Sequence, residues 1–257
     1  KQYMEIKSQN EDSILFFRVG DFYEMFFDDA KKASEELELV LTGKDCGQKE
    51  RAPMCGVPYH SCEAYIARLV EKGYKVAICE QTEDPATAKG IVKRDIIRVV
   101  TPGTVIEDAM LEEGKNNFLA AVSVTDIGIG LCFTDVSTGE CHATVLGCDN
   151  SVSGVADELA RFTPKELLIS EDLEKASAAL CDYIKEKFTQ TVTVRPKESF
   201  NAQRTEPLIV KHFGESRLKE LGIDNKNPIA SALGAVMDYL YETGKNGNIS
   251  VNKLDVY

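Results

Sequence analysis

Apolar and polar positions along this chain switch between two periods, and the switches mark out two α/β units. Met4 to Gln9 reads as a short opening helix, and the apolar run Ile14-Leu15-Phe16-Phe17 places a strand over Ser13 to Val19. After a glycine turn at Gly20, residues Ala30, Ala33, Leu37 and Leu41 recur at near-helical spacing. They predict an amphipathic helix from Asp28 to Leu39, with Asp28 and Asp29 favourable at its positive end. A polar loop, Thr42 to Ala52, leads into a strand over Met54 to Tyr59. Ser61 caps a helix whose apolar face is Cys62, Tyr65, Ile66, Leu69 and Val70, closed by Gly73. Strands over Lys75 to Cys79 and Ile96 to Thr101 complete the unit.

Pro102-Gly103-Thr104 and the acidic stretch Glu107 to Asn117 read as a linker. Three strands follow, Phe118 to Thr125, Gly128 to Asp135 and Glu140 to Leu146, separated by Gly128 and the Ser137-Thr138-Gly139 turn, which implies an antiparallel meander. A helix over Val152 to Phe162, a strand over Glu166 to Ser170, a helix over Leu173 to Phe188 and a strand over Thr191 to Arg195 come next. The last helix, Pro228 to Glu242, buries Ile229, Leu233, Val236, Met237, Leu240 and Tyr241. Asn248 to Tyr257 reads as the opening of another domain, cut short. The expected fold class is therefore α/β: a mixed-sheet domain over 1–104, a linker over 105–117, and a domain over 118–245 with the ribonuclease H-like order of three strands, helix, strand, helix, strand. No internal repeat or low-complexity segment is visible.

Composition narrows the class. With 43% hydrophobic and 28% charged residues the chain is that of a soluble globular protein. No apolar run approaches the roughly 20 residues that span a bilayer. Lys1-Gln2-Tyr3-Met4-Glu5 is not a signal peptide and has no initiator Met, so the chain is expected to be a fragment of a cytoplasmic protein. None of the eight cysteines forms a C-x-x-C pair and several lie in apolar runs, so free thiols and no metal site are expected.

The chemistry concentrates at Val19-Gly20-Asp21-Phe22-Tyr23-Glu24. Two aromatics and a carboxylate follow a glycine turn, an arrangement that presents a ring and an acid to a ligand. A flat ring with a carboxylate two residues on suits entry into a base stack and a hydrogen bond to one exposed base edge. The alternative is two core aromatics beside a solvated Glu24.

The company of this motif decides between them. It continues as Met25-Phe26, then Asp28-Asp29-Ala30, Pro53-Met54-Cys55-Gly56-Val57-Pro58-Tyr59-His60, Val76-Ala77-Ile78-Cys79-Glu80-Gln81, Asp84-Pro85-Ala86-Thr87 and Val100-Thr101-Pro102-Gly103-Thr104. In that order and spacing the chain resembles the N-terminal part of MutS-type DNA mismatch repair proteins, densely over Tyr3 to Thr104 and more loosely from Asn117. The resemblance implies that Phe22 stacks on a mispaired base, that Glu24 hydrogen-bonds it, and that Asp21 shapes the turn. It also implies that the segment holding Met54, Gly56, Pro58 and His60 lies close to DNA; for His60 the alternative is a helix-flanking residue without a ligand. Alternation makes Tyr23 core. Lys89, Lys93, Arg94 and Arg98 form a small basic patch suited to phosphates or, equally, a solvated strand edge.

The second unit would then be the connector domain, which docks a MutL-type partner and relays between DNA and the ATPase. The longer parent would be a homodimer using ATP and Mg²⁺, while the fragment would be monomeric, non-enzymatic and without a cofactor. No G-x-x-x-x-G-K-[ST] occurs in the chain. A paralogue acting on recombination intermediates is the alternative, and the intact Phe-x-Glu pair argues against it. A ribonuclease H-like nuclease is a further rival, drawing on Asp126, Asp135, Asp157 and Glu158, but Asp126 reads as a hairpin turn. Charge is the one discordant feature. The net charge is -12, with 15 Lys/Arg against 20 Asp/Glu over 1–108 and 15 against 22 over 109–257, whereas phosphate contacts carry most non-specific DNA affinity.

Overall fold

The computed structural model describes every residue except 46–50, 85–87, 89, 148–150, 189–190 and 246–248. The described residues form two compact units, one built on Lys1–Thr101 and the other on Leu111–Glu242 with Pro102–Glu107. Each unit carries one six-stranded mixed sheet.

In the first unit the elements are α1 (Gln2–Lys7), β1 (Ser13–Val19), β2 (Phe22–Phe26), α2 (Phe27–Leu37), β3 (Thr42–Lys44), β4 (Ala52–Pro58), α3 (Cys62–Glu71), β5 (Lys75–Gln81) and β6 (Arg94–Val100). The sheet order is β3-β4-β2-β1-β5-β6, and only β1 and β5 run parallel. Two strands exceed the sequence reading. Phe22–Phe26 is a full strand, paired to β1 through a tight turn in which Gly20 takes φ +56°. Its single polar residue, Glu24, hides the alternation. Thr42–Lys44, expected as loop, pairs with β4.

Side chains of β2 divide by face. Tyr23 and Met25 point to the side covered by α2, where the Cys55 thiol donates to the Ala30 carbonyl oxygen at 3.4 Å. Phe22, Glu24 and Phe26 point to the other, in register with Val19 and Phe17 of β1. On that second face α1 covers one end: the Tyr3 ring meets Phe17 and Phe26 edge-on at 5.5 and 5.0 Å. Asp29 locks α1 down. Its buried carboxylate accepts from Tyr3 Oη and Leu15 N, each at 3.0 Å, and pairs with Lys7 Nζ at 3.0 Å. The other expected acid, Asp28, stays exposed and pairs only with Lys31. Ser61 sits at the start of α3 but makes no side-chain cap, because its hydroxyl donates back to Pro58 O at 3.4 Å within the 3-10 turn Tyr59–Ser61.

The second unit contains β7 (Phe118–Thr125), β8 (Gly128–Asp135), β9 (Glu140–Leu146), α4 (Ser151–Phe162), β10 (Glu166–Ser170), α5 (Leu173–Ala176), α6 (Ala178–Lys187), β11 (Val192–Arg195), α7 (Ala202–Phe213), α8 (Glu215–Glu220), α9 (Pro228–Gly244) and β12 (Lys253–Val256). Its order, β11-β10-β7-β8-β9-β12, has the expected antiparallel meander flanked by parallel β10 and β11. Leu131 and Phe133 pack with Val155, Leu159, Leu180 and Ile184 on one face, and Leu119 and Cys132 pack with Met237, Tyr239 and Leu240 on the other. Burial on both faces explains why β8 reads as a continuous apolar run.

Three expectations are corrected here. The single helix over Leu173 to Phe188 is broken at Ser177, whose backbone is extended (φ −157°, ψ 94°). Nothing in the apolar spacing of Leu173, Leu180 and Ile184 marks that break. The closing segment does not open another domain, since β12 pairs in parallel with β9 and buries Leu254 in the second core. Pro102–Val105 is buried rather than free linker: Gly103 N donates to the buried Glu166 carboxylate at 3.0 Å, and a Cβ on Gly103 would lie 2.9 Å from Leu119. Helices α7 and α8 have no counterpart in the sequence reading.

Candidate functional site

The β1–β2–β4 ladder sets the Phe22-Tyr23-Glu24 motif beside the Met54–Pro58 segment, residue against residue. Phe22 pairs with Pro58, Glu24 with Gly56 and Phe26 with Met54. All six share the face that α1 only partly covers. At the far end from α1, Phe22 is 47% exposed, unusual for a phenylalanine that opens a central strand. Tyr23 is buried, as its alternation implies, and donates its hydroxyl to Glu80. Burial and then that carboxylate hold the Tyr23 phenol well above its ordinary pKa. The turn is pinned from the other side, because Tyr59 N donates to the Asp21 carbonyl oxygen at 2.9 Å and the Arg18 guanidinium lies 3.6 Å from the Tyr59 ring centroid. Asp21 contributes backbone to this arrangement, and its side chain is exposed.

Glu24 is ordered by a partner that the sequence reading missed. Lys44 Nζ lies 2.5 Å from Glu24 Oε2, with the Glu24 side chain 14% exposed. Lys44 reaches it because β3 places Lys44 opposite Ala52, on the same face. Gly56 leaves this carboxylate room: a Cβ there would sit 3.8 Å from Glu24 Cγ and 3.2 Å from the Tyr23 carbonyl oxygen.

Beside Glu24 opens a cleft of about 520 Å³. Phe17, Phe26 and Phe27 line it together with Lys1, Lys44, Arg51 and Arg94, and Glu24 is the only acid among the described residues that line it. An acidic chain thus concentrates cations next to the candidate base-contacting carboxylate. Phe27 enters the cleft from a left-handed backbone (φ +54°), an uncommon conformation for an aromatic residue. Arg51 has no hydrogen bond or ion pair among the described residues and is exposed. The signal that marks Lys44 and Arg51 in the sequence is faint, since a polar loop separates them.

Of the expected basic patch, Arg94 is the member that lines the cleft. Arg94 lies over the Phe17 ring at 4.9 Å and donates to Arg18 O, Gln2 Oε1 and Val92 O at 2.6, 3.1 and 2.8 Å, so it braces α1 and β1 from the cleft wall. Arg98 pairs across from Ile78 on the ladder, Lys93 is exposed before β6 begins, and Lys89 lies outside the described residues, as do Pro85, Ala86 and Thr87. His60 stands in the 3-10 turn beyond β4, exposed, its ring 5.7 Å from that of Tyr59.

The carboxylates of the nuclease alternative are dispersed. Asp126 is exposed in the β7–β8 turn, whereas Asp135 lies at the far end of the eight-residue strand β8, roughly 25 Å along it. Asp135 is buried as a turn cap, accepting from Asn117 N, Ser137 N and Ser137 Oγ at 2.9, 2.9 and 2.6 Å. Among the described residues no three His, Cys, Asp or Glu side chains gather as a metal site, and no helix is long and apolar enough to cross a membrane.

Comparison with known proteins agrees with this layout. The model of MutS domain I matches residues 1–109 and that of MutS domain II matches residues 117–255. The whole chain is 46% identical over 257 residues to the DNA mismatch repair protein MutS of Ruminiclostridium cellulolyticum, covering 29% of that protein. It is 47% identical over 261 residues to that of Clostridioides difficile, covering 26% of it. Against the Clostridium tetani protein, 78% of the chain aligns at 53% identity, covering 22% of that relative. The chain thus spans little more than a quarter of the length of the relatives it matches end to end.

Proposed function

This chain belongs to the MutS family, and from that premise we propose that its first unit reads mispaired or unpaired bases in duplex DNA. Phe22 is the wedge entering the minor groove, and Glu24 accepts a hydrogen bond from the displaced base. The observation that carries this reading is a half-exposed Phe22 on the same face of the sheet as Glu24. Unstacking a base step costs a few kcal/mol, and less where pairing is already weak. Stacking on the ring returns about 1–3 kcal/mol per base. The lesion is therefore read as deformability, and a carboxylate beside phosphates penalises matched duplex, which offers it no displaced base edge.

Fluorescence anisotropy with a G·T heteroduplex and its matched homoduplex at low salt tests this. The heteroduplex is expected to bind more tightly, with Phe22→Ala reducing the preference by about tenfold or more, the equivalent of the stacking term. Equal binding to both duplexes, unchanged by Phe22→Ala, would contradict the wedge.

The second unit serves, on the same reading, as a connector that docks a MutL-type partner and relays lesion binding to an ATPase elsewhere in a longer, homodimeric, cytoplasmic protein. Its excess of carboxylates, 22 Asp/Glu against 15 Lys/Arg over 109–257, supports contact with protein rather than phosphate. ATP and Mg²⁺ belong to that longer protein, since this chain has no phosphate-binding G-x-x-x-x-G-K-[ST]. Retention of a MutL protein on immobilised 118–257, but not on 1–104, is the expected result of a pull-down.

A further inference from the structure

We propose that Lys44 is a positioning residue for mismatch discrimination: it holds one oxygen of Glu24 and presents the other to the mispaired base. This rests on the reading of Glu24 given above and adds to it a residue that sets how well Glu24 performs.

The geometry of the pair carries the argument. Lys44 Nζ lies 2.5 Å from Glu24 Oε2, while Glu24 Oε1 has no protein partner among the described residues. An ionised carboxylate has acceptor sites on both oxygens, so the paired one is anchored and the open one keeps its capacity for a base N–H. The ammonium is itself steered, by pairing of β3 with β4 and by the Phe26 ring, whose centroid is 5.6 Å from Nζ. Gly56, facing Glu24 across the ladder, sets no side chain against it.

One consequence follows for DNA binding. A lone carboxylate swings among rotamers and must be ordered when the base arrives, whereas one held by Lys44 has met that entropy cost beforehand. Lys44 thereby acts on discrimination through Glu24, in contrast to Arg51, an exposed residue of the cleft lining with no hydrogen bond or ion pair among the described residues, which is suited to a phosphate.

The test is a double-mutant cycle on the complete 257-residue chain, titrated against the G·T heteroduplex and its homoduplex over a series of salt concentrations. Lys44→Gln is expected to lower the heteroduplex-to-homoduplex affinity ratio by about tenfold, the scale of one charge-assisted hydrogen bond. Lys44→Arg is expected to restore the ratio, and in a Glu24→Gln background Lys44→Gln is expected to leave it unchanged. The homoduplex salt slope should stay as in the parent chain. An equal loss on both duplexes with a slope shallower by about 0.9 would mark a phosphate contact and overturn the proposal, as would an unchanged ratio. Phe22→Ala in the same series separates the two levels. If it abolishes discrimination while Lys44→Gln does not alter it, the wedge stands and the role of Lys44 falls. If Phe22→Ala has no effect, or neither duplex binds, the underlying reading fails and the proposal with it.

Discussion

Gly56 lies directly across the ladder from Glu24, and the 3.2 Å that a Cβ would have to the Tyr23 carbonyl oxygen is tight without being prohibitive. Gly56→Ala is therefore expected to cost no more than about 1 kcal/mol of stability. It should lower mismatch discrimination by pressing on the Tyr23 carbonyl and so shifting the backbone that carries Glu24, and anisotropy beside a thermal melt separates the two effects. The thiols make a second residue-scale case. Burial pushes the Cys55 thiol up to about 11, and the Cys79 thiol up to about 12, so neither is a thiolate at neutral pH. Iodoacetamide is expected to spare both in the native chain and to modify them in urea, as peptide mapping would show. At this scale the sequence marks Phe22, Glu24, Gly56 and Pro58 as candidates because they lie in one short motif and a second whose spacing belongs to it, and the structure sets all four on one face of the sheet. It does not mark Lys44, because a cation in a polar loop looks solvated until β3 pairs with β4 and turns it toward Glu24.

The elements that hold the site depend on buried polar ties more than on periodicity. Asp29 joins α2 to α1 and β1 through Lys7, Tyr3 and Leu15, so Asp29→Ala takes the acceptor from the buried Leu15 amide, while Lys7 Nζ keeps the carbonyl oxygens of Asn10, Glu11 and Ser13. A loss of about 1–3 kcal/mol in urea unfolding is expected. In the second unit, burial alone would raise the Asp238 pKa, but hydrogen bonds from Ser199 and Arg204 and the nearby Arg195 outweigh it and hold it below the usual value. A depressed carboxylate stabilises the fold above its unfolded pKa of about 4 and loses that contribution as pH falls through the lower folded value. Stability of the parent chain should thus decline more steeply below about pH 4 than that of Asp238→Asn, which has no such group to protonate. Strands with a clear apolar run and helices with a clear apolar face were predictable. Phe22–Phe26, with apolar residues on both faces, and β12, whose partner β9 is more than a hundred residues earlier, depend on tertiary pairing that no local window contains.

For the whole molecule, the net charge of -12 and the cationic cleft imply, on the proposed reading, that duplex DNA is held at few places. Few phosphates can then be neutralised. The logarithm of homoduplex affinity is expected to fall with the logarithm of salt at a shallow slope of about −2 to −3, corresponding to two or three contacts. A slope nearer −6 would mean a broad phosphate grip that this surface does not offer. 2-Aminopurine placed next to a G·T mispair reports its own stacking by emission, so saturating the duplex with the chain tests whether Phe22 enters the stack. Emission is expected to rise with the parent chain and not with Phe22→Ala at equal saturation. The same rise with both, or no rise when the parent chain is fully bound, would contradict entry of Phe22 into the stack.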